Sequence, residues 1–295
     1  MVTFVLDQDE LARLLGHQLD KPIQSIQATA LGESSRETPW RIDFLHKGSV
    51  ESVLLRYGKG CSRNEVTALR AVEATAIPTP RVLFWDAAGE TLGTPIFVSE
   101  FIHGDPLLPA MKRHEAWAID LYLDTACKVQ AIQDVDLPPG TAETLEVGES
   151  ATDVLNEAYA MIEDKDALIE RAYGRLKETT PRLPDPQFSN GDLWPENLIV
   201  RDKILQGIID WQHAGFSDPI FEFLLPFFLV PELRGLGIEE RFCARKGIPT
   251  NILHWYHGLE FFDSLRWVLK VGKPYEMHTE STLRRDLEIW LAQNS

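Results

Sequence analysis

The segment from residue 188 to residue 211 constrains the fold of this chain more than any other part of the sequence. Asp192 stands five residues before Asn197, and Asp210 follows thirteen residues after Asn197. Two apolar stretches separated by a polar turn predict a β-hairpin, and a hairpin brings its outer ends together. We therefore expect Asn197 to lie near Asp210. The predicted strands cover 197–200 and 204–210, with the turn at 201–203.

These residue types suit one kind of chemistry. Two neighbouring oxygen ligands, from Asn197 and Asp210, suit Mg²⁺, which usually binds few protein groups together with substrate phosphates. Asp192, in the loop before the hairpin, could accept the proton of an attacking hydroxyl. Asp, Asn, Gly and Pro are also ordinary turn residues, so each position alone has a simple structural interpretation. The combined pattern, with a strand after the Asn and another ending at the second Asp, favours a phosphoryl-transfer site.

The segment resembles the aminoglycoside phosphotransferase and choline kinase-like family, which shares the protein-kinase fold. The family has His-Gly-Asp where this chain has Asn190-Gly191-Asp192, and an Ile-Asp-Trp/Phe segment where it has 209–211. Residues 215–222 are similar to the family's Gly-Asp-Pro segment and the acid that follows it, with Ser217 in place of Gly. The resemblance implies transfer of the ATP γ-phosphoryl group to a small-molecule hydroxyl. It also implies that Asp192 is the base and that Asn197 and Asp210 hold Mg²⁺.

Composition and charge agree with a globular enzyme. The chain has 295 residues, of which 44% are hydrophobic and 25% charged, as in ordinary globular proteins. A formal charge of −16 argues against nucleic-acid binding, which demands basic surfaces, and is compatible with a cationic substrate. No apolar stretch is long enough to span a membrane, no export signal is visible, and three scattered cysteines predict a reducing cytoplasm. The sequence does not define an oligomeric state.

Hydrophobic periodicity predicts an α+β, two-lobed fold. The first hundred residues read as strands with one helix at 62–75, and the remainder reads as mainly helical around the hairpin. We place the boundary between residues 1–102 and 103–295. The predicted strands are 23–31, 40–45, 52–57, 81–86 and 95–102, and the predicted later helices are 113–133, 151–178, 218–229, 250–271 and 276–293.

The resemblance also implies a nucleotide site in the first lobe. Arg56 takes the position of the strand cation that grips the phosphates, usually Lys in protein kinases, and a solvated strand end is the alternative. Glu65 is its candidate ion-pair partner, although a capping box begun by Ser62 would explain Glu65 equally well. The loop 31–38, with Ser34, could cover the phosphates or be a plain hairpin loop. Ser99, Glu100, Phe101 and Ile102 form the predicted hinge that pairs with adenine.

A second tripeptide, His103-Gly104-Asp105, matches the family's catalytic tripeptide better than residues 190–192 do. The residue five positions after Asp105 is Ala110, and no metal-binding hairpin follows. We interpret 103–105 as the turn that leaves the hinge.

The acceptor site is less constrained. One face of the helix predicted at 250–271 combines two aromatic and two acidic residues, which could hold an ammonium group; packing of the same helix is the alternative interpretation. Asp218 could face the acceptor, but capping of the helix that begins at Pro219 is favoured. The candidate acceptor residues are Asp218, Tyr256, Glu260, Asp263 and Trp267.

Two other functions remain open. A protein kinase would need an activation segment and peptide platform after Asp210, and residues 211–218 leave little room for either. A pseudokinase that binds or senses nucleotide without turnover is favoured by the departures at Asn190 and Arg56, whereas Asp192 and the two metal-ligand candidates argue against it.

Overall fold

The structure is a computed structural model that describes residues 6–23, 25–32 and 39–293. Its strands and helices follow the chain in a β-rich stretch and then a mostly helical one. The strands are β1 (Ile26–Ala30), β2 (Trp40–His46), β3 (Ser49–Tyr57), β4 (Val82–Asp86), β5 (Ile96–Glu100), β6 (Asp105–Pro106), β7 (Glu146–Val147), β8 (Gln187–Ser189), β9 (Leu198–Arg201), β10 (Ile204–Ile208) and β11 (Gly215–Ser217). The α-helices are α1 (Gln8–Gln18), α2 (Arg63–Val72), α3 (Leu108–Lys112), α4 (Ala116–Val129), α5 (Ala151–Met161), α6 (Ala167–Glu178), α7 (Phe221–Leu229), α8 (Ile238–Lys246), α9 (Leu253–Val271) and α10 (Glu280–Ala292).

Short polar side chains fix several helix starts. The Asp7 carboxylate accepts from the backbone N–H groups of residues 9 and 10 at the start of α1, and Ser62 accepts from the N–H of Glu65 at the start of α2. Thr279 and Thr282 form a reciprocal capping box before α10. Such caps satisfy backbone donors that the first helical turn leaves without partners.

The chain divides into two compact units, and the first contains two sheets. It comprises Met1–Pro106, Asp134–Leu145 and Asn197–Ala214. One sheet has the antiparallel order β1-β2-β3-β5-β4. Alternate residues of β2 point inward, and the buried face packs with leucines of α1 in one core, as expected for a sheet with one covered face.

The second sheet of this unit contains the predicted hairpin. Strands β9 and β10 are antiparallel, with Leu198 opposite Ile208, and the N–H of Ile209 donates to the carbonyl of Asn197 over 2.9 Å. The outer ends of the hairpin therefore meet, which confirms that part of the prediction. The short strand β6 pairs with the other edge of β9.

The second unit is mainly helical and comprises Leu107–Gln133, Glu146–Glu196 and Gly215–Ser295. Helix α9 is its centre and packs against α5, α6, α7 and α10. Trp255 and Phe262 are buried on α9, and the indole N–H of Trp255 donates to the carbonyl of Leu176 over 2.8 Å. A small sheet of β7, β11 and β8 lies in the same unit. Within the described ranges, no helix combines the length and apolar character needed to cross a membrane.

Each of the two compact units is built from three segments of the chain. The sequence analysis instead divided the chain into two consecutive segments, 1–102 and 103–295. Residues 197–214 group with the first unit because backbone hydrogen bonds tie the hairpin there. The N–H of Ile208 donates to the carbonyl of Pro78 over 2.9 Å, and Asp105 pairs with Val200.

Candidate functional site

A cavity of about 380 Å³ in the first unit brings together most of the residues predicted to bind nucleotide. Its walls are apolar, and charged side chains stand at one end. It is lined by Leu31, Pro39, Leu54, Arg56, Glu65, Leu69, Pro80, Ser99, Glu100, Phe101, Ile102, Gly104, Pro106, Ile199, Ile209, Asp210 and Trp211.

Arg56 is the centre of charge in this cavity. Its Nε lies 3.4 Å from Oε2 of Glu65, and its Nη2 lies 3.5 Å from Oδ1 of Asp210. The Arg56 side chain is only 12% exposed, so the solvated strand-end interpretation does not describe it. A mostly buried guanidinium with two carboxylate neighbours could exchange one of these partners for a phosphate group.

Glu65 combines the two roles that the sequence left open. Its backbone N–H donates to the Ser62 hydroxyl over 3.2 Å, while its carboxylate faces Arg56. Burial raises the pKa of Glu65 to about 7, the Asp210 carboxylate adds to the rise, and Arg56 opposes it. The backbone N–H of Glu65 therefore takes part in the cap of α2, and its carboxylate lines the cavity.

Asp210 is held in an uncommon backbone conformation at the end of the hairpin. Its φ is +60°, a left-handed value that costs free energy in a residue other than glycine and is often found at functional sites. The buried indole of Trp211 donates to the carbonyl of Ile208 over 2.8 Å. The Asn64 amide donates to the carbonyls of Gln212 and Ala214 over 3.1 and 2.8 Å, which ties α2 to the segment after Asp210.

The predicted hinge residues line the cavity where β5 ends. The N–H of Glu100 donates to the carbonyl of Arg81 over 3.0 Å, and its carboxylate accepts from Nε of Arg81 over 2.7 Å. The Ser99 hydroxyl donates to the carbonyl of Glu100 over 3.3 Å. Phe101 and Ile102 follow the strand and add apolar wall. Ser34 lies outside the described residues.

The tripeptide at 103–105 has a packing role. A Cβ on Gly104 would lie 2.5 Å from the carbonyl oxygen of Val200, so only glycine allows the chain to approach β9 this closely. Asp105 then pairs with Val200 as part of β6. The turn interpretation is thereby extended, since the segment leaving the hinge also forms a sheet edge.

The chemistry of the hairpin end fits a magnesium ion. Asp210 lines the cavity, and the backbone carbonyl of Asn197 accepts from the N–H of Ile209, the residue before Asp210. In the part of the chain that the structure describes, no three His, Cys, Asp or Glu residues cluster as a metal cage. A site with two protein oxygens suits Mg²⁺, which retains water or phosphate oxygens in its remaining positions.

The loop that carries Asp192 lies in the second unit and is held by uncharged donors. The buried Asn190 amide donates to the carbonyl of Asp192 over 2.9 Å, and this contact supports the loop. The N–H of Gly191 donates to the Ser189 hydroxyl over 3.1 Å. Gly191 has φ +78°, a turn geometry that favours glycine.

Glu222 anchors the same loop from the first turn of α7. Its Oε1 accepts from the backbone N–H of Leu193 over 2.9 Å and from the Ser189 hydroxyl over 2.5 Å. Loss of hydration raises the pKa of Glu222, the Ser189 and Leu193 donors oppose this, and the nearby Asp192 carboxylate adds to the rise. Glu222 therefore contacts the loop on both sides of Asp192, through the Ser189 side chain and the Leu193 backbone.

Two of the candidate acceptor residues bond to each other inside the helical unit. The Tyr256 hydroxyl donates to Oδ2 of Asp218 over 2.6 Å, and both residues are buried. Oδ1 of Asp218 accepts from the N–H groups of Ile220 and Phe221 over 2.9 and 3.0 Å. These contacts match the capping interpretation of Asp218, and they give Tyr256 a packing role on α9.

The other three acceptor candidates lie near Tyr275. Trp267 packs against Tyr275 with ring centroids 5.0 Å apart, and Asp263 accepts from Nε of Arg266 over 3.0 Å. Burial raises the pKa of Tyr275 to about 12, with contributions from Glu260, Asp263 and Asp192 among other carboxylates. The Asp192 carboxylate therefore raises the pKa of the same tyrosine as Glu260 and Asp263 of α9 do.

Sequence reasoning did not select Asn64 or Tyr275, and it gave Gly104 a place only in the turn at 103–105. Asn64 precedes Glu65 in the first turn of α2, where nothing local distinguishes it from a solvated residue. Tyr275 lies between α9 and α10 without any motif. The position of Gly104, two residues after the predicted hinge, was the available signal that the chain approaches another strand closely there.

Comparison with known proteins identifies the family of this chain. Residues 60–249 match the model of the family described as "Phosphotransferase enzyme family". An aminoglycoside 3'-phosphotransferase of Niallia circulans is 27% identical over 160 residues, which is 53% of this chain and 60% of that protein. The chain therefore matches less than two thirds of the length of that relative.

Solved structures share the fold over nearly the whole chain. A candidate aminoglycoside phosphotransferase of Ralstonia eutropha JMP134 aligns with a TM-score of 0.70 and 12% identity, covering 98% of each chain. A thermostable mutant of aminoglycoside phosphotransferase APH(4)-Ia, in a ternary complex with ADP and hygromycin B, aligns with a TM-score of 0.64 and 15% identity. That alignment covers 97% of this chain and 99% of the other. These likenesses confirm the predicted α+β, protein-kinase-like fold class.

Proposed function

The chain belongs to the phosphotransferase enzyme family, and on that premise we propose that it transfers the γ-phosphoryl group of ATP to a hydroxyl of a small molecule. The observation that carries the proposal is the position of Arg56 between Glu65 and Asp210 at the charged end of an apolar cavity. An apolar slot with a cation at its end suits a purine base with its phosphates.

Each residue has a stated task in the proposed reaction. Arg56 neutralises phosphate charge, and Asn197 and Asp210 hold the metal. The metal, when bound, neutralises charge on the β- and γ-phosphates. Asp192 orients the acceptor hydroxyl and takes its proton, while the hydroxyl oxygen forms a bond to the γ-phosphorus and ADP leaves.

The residues near Tyr275 support a cationic acceptor. Asp263 and Glu260 supply carboxyl groups, and Trp267 and Tyr275 supply ring faces. Such a combination attracts an ammonium group by charge and by cation–π contact. The named relatives act on or bind aminoglycosides, and we propose an amino-substituted alcohol as the acceptor class here.

The test is release of ADP from Mg-ATP by the purified protein in the presence of pooled hydroxyl compounds. The pools are aminoglycosides, amino alcohols, hydroxy amino acids and uncharged sugars. We expect acceptor-dependent ADP release in an amine-containing pool. Asp192→Asn should reduce it by about 100- to 10,000-fold.

Asp202→Asn is the matched control. It makes the same chemical change at an exposed turn position of the hairpin where φ is +53°, a conformation that Asn tolerates. Equal rates for wild type and Asp192→Asn would remove Asp192 from the reaction. Nucleotide binding without turnover in any pool would favour the pseudokinase alternative.

A further inference from the structure

Tyr122 is a fully buried tyrosine in the middle of α4. Its ring packs against Phe223 and Phe227 of α7, with centroids 5.5 and 6.0 Å apart. A phenylalanine would fill this aromatic cluster equally well, whereas a buried hydroxyl costs free energy unless it finds a partner. The use of tyrosine here therefore directs attention to the group that its hydroxyl bonds.

That group is the backbone carbonyl of Leu193, the residue directly after Asp192. The Tyr122 hydroxyl donates to this carbonyl over 2.9 Å. Leu193 is only 1% exposed, so loss of the donor would leave a buried acceptor without compensation from bulk water. Burial, and then the charges of Glu222 and Asp192, raise the pKa of Tyr122 well above its ordinary value. The hydroxyl therefore stays protonated at neutral pH and remains a donor.

Side chains hold three backbone groups in succession in this loop. The Asn190 amide donates to the carbonyl of Asp192, and the Glu222 carboxylate accepts from the N–H of Leu193. These two bonds hold both sides of the peptide group that follows Asp192. The Tyr122 hydroxyl holds the carbonyl of the next peptide group. Because the two peptide groups meet at the Cα of Leu193, loosening the second one also frees the first to rotate.

Helix α4 is fixed at a second point, so Tyr122 acts from a rigid element. Gln130, about two turns after Tyr122, is buried and donates through Nε2 to the carbonyl of Pro219 over 2.9 Å. Pro219 leads into α7, the helix that carries both Glu222 and Phe223. The donor and the acceptor that hold Leu193 therefore come from two helices that are bonded to each other, which is the support that a precisely placed side chain needs.

We propose that Tyr122 is a positioning residue for Asp192, because its hydroxyl fixes the backbone that directs the Asp192 carboxylate toward the acceptor hydroxyl. This inference rests on the proposed function, and it adds to the reaction a residue that touches neither the nucleotide nor the acceptor.

The kinetic part of the test removes only the hydroxyl. Tyr122→Phe should lower kcat about fivefold while the KM for ATP stays within about twofold of wild type, since a misplaced base slows the reaction without changing nucleotide binding. Tyr122→p-aminophenylalanine restores an N–H donor on a ring of the same shape and should recover most of the lost kcat. Tyr159→Phe is the matched control, because it removes a surface hydroxyl that bonds Glu170 over 3.0 Å, and it should leave kcat unchanged.

Hydrogen–deuterium exchange tests the loop without any turnover. In Tyr122→Phe, amides in residues 187–197 should exchange about fivefold faster than in wild type, whereas those of α10 in the same unit should not change. If Tyr122→Phe does not fold, Tyr122→p-chlorophenylalanine takes its place, because it fills the volume of the hydroxyl without donating.

The proposal is overturned if the loop exchanges at the wild-type rate, if kcat is unchanged, or if the amine variant is as slow as the variant that lacks a donor. Faster exchange of α10 to the same extent as the loop also overturns it, because the hydroxyl would then only stabilise the whole unit. Absence of ADP release from wild type contradicts the proposed function instead, and the exchange experiment then still decides whether Tyr122 holds the loop.

Discussion

The Asp210 end of the hairpin and the loop that carries Asp192 each place one acidic residue near a second one, but the two clusters are stabilised differently. Asp210 and Glu65 share the guanidinium of Arg56. The Glu222 carboxylate accepts from the Ser189 hydroxyl and the N–H of Leu193, and the Asn190 amide donates to the backbone carbonyl of Asp192. Charge pairing allows one ionic partner to be exchanged for another, such as a phosphate or a metal. Neutral hydrogen bonds fix a backbone shape, so the first cluster suits binding and the second suits positioning.

The largest expected effect separates these two roles. Asp210→Asn should reduce ATP turnover about 1,000-fold and also weaken metal-dependent nucleotide binding, since it changes the proposed metal ligand and a partner of Arg56. Asp192→Asn should reduce turnover while nucleotide affinity stays within about threefold of wild type. Fluorescence titration with a nucleotide analogue, with and without Mg²⁺, measures the difference. Equal loss of affinity in both variants would contradict the division between binding and positioning.

The next effect concerns the pH dependence of stability. The pKa of Glu65 is about 7 in the folded protein against an ordinary value of 4.5, so the folded state holds the proton more tightly than the unfolded state. The stabilising contribution of Glu65 is therefore complete below pH 4.5 and is lost as pH rises through 7. The difference is on the order of 3 kcal/mol, at 1.36 kcal/mol for each pH unit.

Urea denaturation between pH 5 and pH 8 tests this sign. The free energy of unfolding of wild type should fall with pH relative to that of Glu65→Gln, which cannot titrate. A parallel pH dependence in the two proteins would show that Arg56 keeps Glu65 ionised throughout.

Glu222→Gln probes the neutral cluster. Gln keeps one oxygen that accepts from the Ser189 hydroxyl and the N–H of Leu193, but it puts an NH2 group in place of Oε2, which accepts from the Ser217 hydroxyl. The lost charge and the lost acceptor should cost about 2 kcal/mol of stability. Turnover should fall about tenfold with nucleotide affinity unchanged, because the loop shifts while the cavity remains intact. Differential scanning calorimetry and steady-state kinetics measure the two effects. A rise in the KM for ATP without a change in kcat would place Glu222 in binding instead.

The smallest effect concerns Asn190. Asn190→Ala removes the donor to the Asp192 carbonyl and should cost about 1 kcal/mol, with a several-fold loss of kcat. Asn190→His restores the family's residue and should keep kcat within about fivefold of wild type. If Ala and His variants behave alike, the amide hydrogen bond does not support the loop.

Much of the fold was predictable because its signals are local. The alternation of apolar and polar residues in β2 and the polar turn of the hairpin are both visible in the sequence. The helix predicted over 151–178 is instead two helices, α5 and α6. The chain is extended at Ile162, and Asp166 caps the second helix. The cap was a local signal for the break, but the helical periodicity on both sides of it led to the prediction of one helix. Helices α1 and α8 were not predicted, although Asp7 caps the first.

The site was predictable in part, for a physical reason. The spacing within a hairpin is local, so the meeting of its ends at Asn197 and Ile209 followed from the sequence. The direction of the Glu65 side chain depends on Arg56 and Asp210, which are distant in sequence. Periodicity also grouped Tyr256 with Trp267 on one face of a helix, but the contact between Tyr256 and Asp218 depends on tertiary packing.

Gly104 and the strand that follows it have a consequence for solubility. Strand β9 has β10 on one side, and on its other side the two residues of β6 occupy the edge. That edge strand is very short, and Pro106 has no N–H to offer, so a further strand from another molecule finds little to pair with. The segment that most resembles a catalytic tripeptide thus protects from aggregation the hairpin that carries Asn197 and Asp210.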